Sequence, residues 1–265
     1  MSIFIDRSDR VLVQGITGGE GSFWTKHMID LGTQVVSGVT PGKEGQSIEG
    51  VPVYHTIRRA VSDKPADAAM LFVPPRFTKD AVFEALDSGI KKIVTIADGI
   101  PLQDAIQIRK AALSFGARVV GGNTSGVISP GFAMMGMFPY WIERVYKPGR
   151  IGVMTRSGSL TNEVTAMVVR AGFGVSSLIG VGGDPVPGTR FAEMLPDYQA
   201  DPATDAVVII GALGGTMEEE VAESMLSGTF TKPVVAFLGG RTAPAGKRMG
   251  HAGAIVTGGK GSVAD

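Results

Sequence analysis

Short runs rich in Val and Ile alternate along this chain with amphipathic stretches, the pattern written by buried parallel strands joined through crossover helices. In the first half, the apolar runs predict strands at 11–14, 35–39, 69–73, 92–96 and 118–120. Helical periodicity fills the gaps, at 23–31, 57–62, 77–87 and 102–115. A Rossmann-like βαβ series over residues 1–125 is the expectation. The stretch from 121 to 149 carries Pro130, Pro139, Pro148 and several glycines. It is expected to be irregular and to hold the junction between two domains, with 126–149 as the connecting segment and Tyr140-Trp141 as a packing or partner surface. The alternation then restarts, with strands expected at 151–154, 176–180, 206–210 and 234–238 and helices at 160–170, 191–198 and 218–226. Residues 150–265 therefore read as a second α/β domain. It ends in a loop, 239–261, almost without an apolar run, and long loops in compact domains usually serve function.

The length of 265 residues is enough for two such domains, each with its own core. Lys+Arg and Asp+Glu balance at 25 each, so no global charge points to nucleic acid or a membrane surface. The absence of cysteine excludes a disulfide framework, a thiolate metal site and a cysteine nucleophile. His27, His55 and His251 are far apart and lack metal-ligand spacing, so no metal site is expected; His27, in an amphipathic helix, and His55, in a polar turn, read as structural. The first residues contain no apolar run of signal-peptide or membrane-span length, which reads most simply as a cytoplasmic protein.

The 38 glycines cluster in loops after apolar runs, where backbone N–H groups build phosphate and cofactor sites. Gly15-Ile16-Thr17-Gly18-Gly19-Glu20-Gly21 follows the first strand and opens the first helix, a context that favours nucleotide binding over a plain turn. An NAD site would want an acidic residue after the second strand; here the chain reads Gly38-Val39-Thr40-Pro41-Gly42-Lys43. Lys43 suits a phosphorylated ribose, in NADP or in coenzyme A, or is a solvated loop cation. With no acid–base pair for hydride transfer nearby, coenzyme A is the better fit. Thr155-Arg156-Ser157-Gly158-Ser159-Leu160-Thr161 is equally readable as an anion site at a helix start or as an ordinary capped helix. His251, flanked by Gly250 and Ala252, is sterically free to meet a phosphoryl group, and imidazole can carry phosphate covalently.

The surrounding residues decide among these readings. Gly246-Lys247-Arg248-Met249-Gly250-His251-Ala252-Gly253-Ala254-Ile255 resembles the phosphohistidine loop of succinyl-CoA synthetase α subunits. The resemblance continues through Val39-Thr40-Pro41-Gly42-Lys43, Asp98-Gly99-Ile100-Pro101, Gly126-Val127-Ile128-Ser129-Pro130-Gly131, Arg156-Ser157-Gly158 and Gly182-Gly183-Asp184-Pro185, in the family's order over essentially the whole chain. It implies a Rossmann-like CoA-binding domain followed by a flavodoxin-like ligase domain, both with mainly parallel sheets. It also implies an ATP-grasp β subunit, in an αβ or α2β2 assembly, that binds ATP or GTP with Mg2+. In the family the nucleotide phosphorylates the histidine, the phosphoryl group passes to a small carboxylic acid, and CoA takes the acyl group as a thioester. Carried over by position, His251 is the carrier, and Ser157, Gly158 and Ser159 stabilise the phosphohistidine. Thr17, Gly18, Gly19, Glu20, Lys43, Ile96, Ala97 and Asp98 contact CoA.

The chain departs from the family pattern in three places. Gly211-Ala212-Leu213-Gly214-Gly215 stands where the family has Gly-Glu-Ile-Gly-Gly, so a carboxylate that orients the imidazole is missing. Asn162 replaces a substrate-side tyrosine, which suggests an acid other than succinate without naming one; the candidate acids are succinate, malate, citrate or a sulfonated analogue. The sequence stops at Asp265, where relatives continue through a further strand and helix. Two other readings remain: a CoA-binding protein of the same family without ligase activity, to which Ala212 lends support, and an NADP-dependent oxidoreductase.

Overall fold

The computed structural model describes residues 3–242 and 250–255. Its first sheet is built around β1 (Arg10–Gln14), whose Val11, Leu12 and Val13 are fully buried because helices cover both faces. The chain runs on through α1 (Gly19–Leu31), β2 (Gln34–Val39), β3 (Ser47–Ile48), β4 (Val51–Tyr54), α2 (Ile57–Asp63) and β5 (Ala68–Leu71). It continues with α3 (Pro75–Asp87), β6 (Lys92–Thr95), α4 (Leu102–Ser114) and β7 (Arg118–Val120). The strands line up as β3-β4-β2-β1-β5-β6-β7, all parallel except β3, which pairs antiparallel with β4. The chain moves outward from β1 to β2 and β4, then crosses back to β5 on the other side. That reversal opens a crevice at the carboxyl ends of the central strands, where doubly wound folds bind nucleotides.

All five strands and four helices expected in this half are present, displaced by a few residues at their ends. The largest shift is α1, which starts at Gly19 because Gly18 already has an extended, capping backbone. The two-residue β3 and its partner β4 carried too short a pattern to be anticipated.

The second sheet contains β8 (Gly126–Ser129), β9 (Ala133–Gly136), β10 (Pro148–Thr155), β11 (Val175–Gly180), β12 (Ala206–Ala212) and β13 (Val234–Gly239), in the order β13-β12-β10-β11-β8-β9. Helices α5 (Gly158–Arg170), α6 (Phe191–Ala200) and α7 (Met217–Leu226) connect the parallel strands. The order of β11, β10, β12 and β13 is flavodoxin-like, with its switch point between β10 and β12. The expectation of an irregular stretch over 121–149 needs correction. Residues 126–129 and 133–136 form a hairpin that joins β11 antiparallel, turning at Pro130-Gly131. Both strands are buried along their whole length, so they show no alternation, and their prolines and glycines looked like loop.

The two sheets share a core. Val13, Val94 and Val120 of the first belong to one buried cluster with Val127, Val153 and Ile179 of the second. Thr33 fixes the contact, its hydroxyl accepting from the Met134 N–H and donating to the Met134 carbonyl, both at 2.9 Å. Ion pairs Arg109–Glu193, at 2.7 Å, and Arg118–Asp197 join α4 and β7 to α6. Tyr140 and Trp141 pack on α1, with the Trp141 ring stacked on Trp24 at 6.2 Å between centroids. Among the described residues no helix is long and apolar enough to cross a membrane.

Candidate functional site

The first glycine loop is tied into the sheet by its own backbone. The Gly15 N–H donates to Val39 O (2.8 Å) and the Gly18 N–H to Gly15 O (3.0 Å). Gly21 sits so close to the strand end that a Cβ there would lie 2.1 Å from Gly15 O. Only glycine lets α1 begin this near β1, and so leaves Gly18, Gly19 and Glu20 exposed at a helix N-terminus that attracts phosphate. Thr17 donates its hydroxyl to Thr40 Oγ1 at 3.1 Å, bringing the loop after β2 alongside. In that loop the Lys43 N–H bonds Thr40 O, and the Gly42 N–H donates to His55 Nδ1 at 2.8 Å. His55 thus shapes the turn that carries Lys43, a structural role as its place in a polar turn suggested. Glu20 accepts from Trp24 Nε1 at 2.9 Å.

Ile96, Ala97 and Asp98 follow β6 and lead toward the second sheet. The Asn123 N–H donates to Ala97 O (2.8 Å), and the Gly183 N–H donates in turn to Asn123 O (3.1 Å). Through these bonds the ends of β6, β7 and β11 converge. Asp98 is exposed there, beside the buried Asp184. Burial pushes the Asp184 carboxyl above the ordinary carboxylate range, a hydrogen bond with Asn123 opposes that, and the Asp98 charge adds to the rise.

His251 lies in the same place. Its ring rests against Gly183 so closely that a Cβ on that glycine would be 2.5 Å from the imidazole Cγ. The Gly253 N–H donates to Gly183 O at 3.1 Å, which anchors the segment 250–255 on the loop after β11. The imidazole is held below the usual histidine range, first by burial, then by the Arg156 charge; Asp98 acts in the opposite sense. A neutral imidazole at neutral pH has a free lone pair, which a nucleophile needs.

Arg156, at the end of β10, is 4% exposed. Its Nη1 donates to Gly214 O (2.7 Å), Ala212 O (3.1 Å) and Glu218 Oε1 (3.2 Å), while its buried Nε has no hydrogen-bond partner among the described residues. Glu218, on α7, also accepts from the Ala212 N–H at 3.1 Å. Ala212 itself brings no carboxylate to His251, and the acidic charge that acts on the imidazole is Asp98. Next to Arg156, Ser157 caps α5, accepting from the Leu160 N–H, and its own N–H bonds Thr155 Oγ1. The first turn of α5 holds no acidic side chain, and Gly158 and Ser159 are exposed, so its positive end is open to an anion. Asn162 is exposed on the same helix and accepts a hydrogen bond from the Tyr146 hydroxyl.

The structure therefore brings His251, Arg156, Asp98 and Asp184 into one neighbourhood, between the carboxyl ends of the two sheets. Glu218, Asp184, Tyr146 and the packing role of Gly183 had no assigned part in the sequence reading. Arg156, Gly183 and Asp184 stood inside motifs whose order, not whose contacts, was legible. Lys247, Arg248 and Met249 of the histidine motif lie outside the described residues. No group of three or more His, Asp or Glu able to hold a metal ion occurs among the described residues.

Residues 6–99 match the CoA binding domain family and residues 154–265 the CoA-ligase family. An ADP-forming sulfoacetate–CoA ligase subunit of Bilophila wadsworthia is 76% identical over 263 residues, 99% of this chain and 90% of the relative. An ADP-forming succinate–CoA ligase α subunit of Archaeoglobus fulgidus is 46% identical over 262 residues, 99% of this chain and 88% of the relative. Among solved structures, ATP citrate lyase of Methanosaeta concilii superimposes with a TM-score of 0.90 at 24% identity, over 98% of this chain and 46% of the lyase chain, a likeness of fold. The chain belongs to the family of ADP-forming acid–CoA ligase α subunits, with a CoA binding domain ahead of its ligase domain.

Proposed function

We propose that this chain, with an ATP-grasp β subunit, joins CoA to the carboxyl group of a small sulfonated acid, sulfoacetate, through phosphate carried on His251. The observation that carries the reading is the seat of His251, a half-buried imidazole of lowered pKa that rests against Gly183 and feels the charge of Arg156, two residues ahead of α5. The choice of acid rests on the 76% and 77% identity to sulfoacetate–CoA ligase subunits and on Asn162.

In this scheme an imidazole nitrogen attacks the γ-phosphorus of ATP held with Mg2+ on the partner, and ADP leaves. The α5 N-terminal N–H groups at Ser157, Gly158 and Ser159 and the Arg156 guanidinium stabilise the phosphoryl charge. The substrate carboxylate then attacks phosphorus, giving the acyl phosphate and returning the imidazole. The CoA thiolate attacks the acyl carbon, forming the thioester as phosphate departs. Thr17, Gly18, Gly19 and Glu20 receive the CoA pyrophosphate, Lys43 its 3′-phosphate, and Ile96, Ala97 and Asp98 line the path to the thiol. Asp98 supplies the acidic influence on His251 that Ala212 lacks.

Two measurements bear on this reading. Lys43→Ala is expected to weaken CoA binding roughly 3- to 10-fold, the worth of one exposed charge-assisted contact. The same variant should bind 3′-dephospho-CoA as the native protein does, and equal losses for both ligands would remove Lys43 from the phosphate. The acid is tested by mixing the chain with its β subunit, ATP and CoA, then supplying sulfoacetate, succinate, malate or citrate in turn. The reading expects kcat/KM for sulfoacetate to exceed the others at least about 10-fold, the scale of one specific polar contact in a substrate pocket. A preference for any of the other three acids would overturn the sulfonate assignment.

A further inference from the structure

Along α5, from Asn162 to its last residue Arg170, runs a groove of about 440 Å³ whose lining also includes Arg144, Tyr146 and Glu163. Neither arginine is held in an ion pair among the described residues, so both are open to an anion. Asn162 lies one turn into α5 from Gly158, about 6 Å along the axis. Helical side chains lean toward the N-terminus, so its amide reaches back over the turn whose N–H groups are free. An asparagine amide can offer a carbonyl acceptor or two N–H donors, and which end faces a ligand decides what the site accepts.

In this protein the carbonyl end is already taken. The Tyr146 hydroxyl donates to Asn162 Oδ1 at 2.5 Å. Tyr146 is 4% exposed, and its ring meets Phe138 edge-on at 5.8 Å between centroids. Phe138 in turn lines the small cavity bounded by Arg156, Ser157, Gly158 and Thr161. Burial pushes the phenol pKa well up, which keeps the hydroxyl protonated and a donor. The Phe138–Tyr146 contact thus links that cavity to the groove at Asn162, with the Tyr146 hydroxyl on the amide.

We propose that Tyr146 is a positioning residue that turns the Asn162 amide so that its N–H donors face the acid, selecting a substrate whose far end is an acceptor-only anion such as a sulfonate. The inference rests on the reading of Asn162 as substrate-facing. The carboxylate sits at the α5 N-terminus for phosphorylation, and the far anion of a two-carbon acid falls one turn on, against the amide, in a groove that Arg144 and Glu163 also line. A carbonyl turned the same way would repel that anion.

The test uses the complete complex of this chain with its β subunit and sulfoacetate as the acid. Tyr146→Phe keeps the ring and its packing. It is expected to raise the KM for sulfoacetate roughly 3- to 10-fold, the value of one hydrogen bond, with the KM for CoA and the thermal midpoint unchanged. Asn162→Ala raises the same KM, and the double variant is no worse than Asn162→Ala alone, since Tyr146 acts only through the amide. If Asn162→Ala raises the KM while Tyr146→Phe leaves it unchanged, or if the two effects multiply, the positioning role is wrong. A rise in the KM for both CoA and sulfoacetate in Tyr146→Phe would also overturn it, as the mark of a general packing role. An Asn162→Ala variant with native KM for sulfoacetate would sink the substrate-facing reading itself, and the inference with it.

Discussion

His251→Ala is expected to stop ligation in the reconstituted complex, lowering turnover by on the order of 10⁴-fold or more, as removal of a covalent nucleophile does elsewhere. The neighbours of the ring offer no replacement. Gly183 has no side chain, Arg156 is a cation committed to Gly214, Ala212 and Glu218, and Asp98 is a weaker nucleophile toward phosphorus. CoA binding should be untouched, because the loop around Gly15 and Gly21 belongs to the other sheet. The same histidine sets a pH signature. Burial and the Arg156 charge lower its pKa, so the neutral, nucleophilic form persists below the usual histidine value of about 6.5. The acid limb of the phosphorylation rate should accordingly lie below pH ~6.5. A limb at or above that value would mean that the imidazole is not held as the structure has it.

Arg156→Met is the second large effect, and it acts on stability and chemistry together. The substitution keeps much of the side chain's bulk but leaves Glu218, which is 15% exposed at its side chain, without its cation. Breaking one half of a buried ion pair costs about 3 kcal/mol, and the Gly214 and Ala212 carbonyls lose a donor as well. A fall of several degrees in the thermal midpoint follows. Phosphotransfer should drop by at least about 100-fold, since a charge directed at the developing phosphoryl charge is gone. Arg156→Met/Glu218→Gln should regain part of the stability but none of the transfer rate. Recovery of both would reduce Arg156 to a scaffold.

The central parallel strands were legible because burial on two faces favours short apolar runs; Val and Ile make that run in β1, β6 and β12, and Ala, Met and Leu make it in β5. The hairpin of β8 and β9 was not, because its turn is Pro130-Gly131 and its strands have no polar face to make an alternation. The first glycine loop could be read from Gly15, Gly18 and Gly21, since close approach of a helix to a strand demands glycine at fixed spacing. The neighbourhood of His251 could be read only in part. His251 stood out by its neighbours, but the bonds from Arg156 to Ala212, Gly214 and Glu218 cross 56 to 62 residues, and no local pattern encodes them. Tyr146 lay in a stretch taken for loop, 16 residues before the amide it holds.

The passage of phosphate through His251 is the central claim, and one measurement meets it head on. The chain and its β subunit are mixed with γ-labelled ATP in the absence of acid and CoA, then digested and mapped. The account predicts an acid-labile phosphate on His251 that disappears when sulfoacetate and CoA are added together, with thioester formed in equal amount. A complex that makes thioester at full rate while His251 stays unlabelled would contradict it.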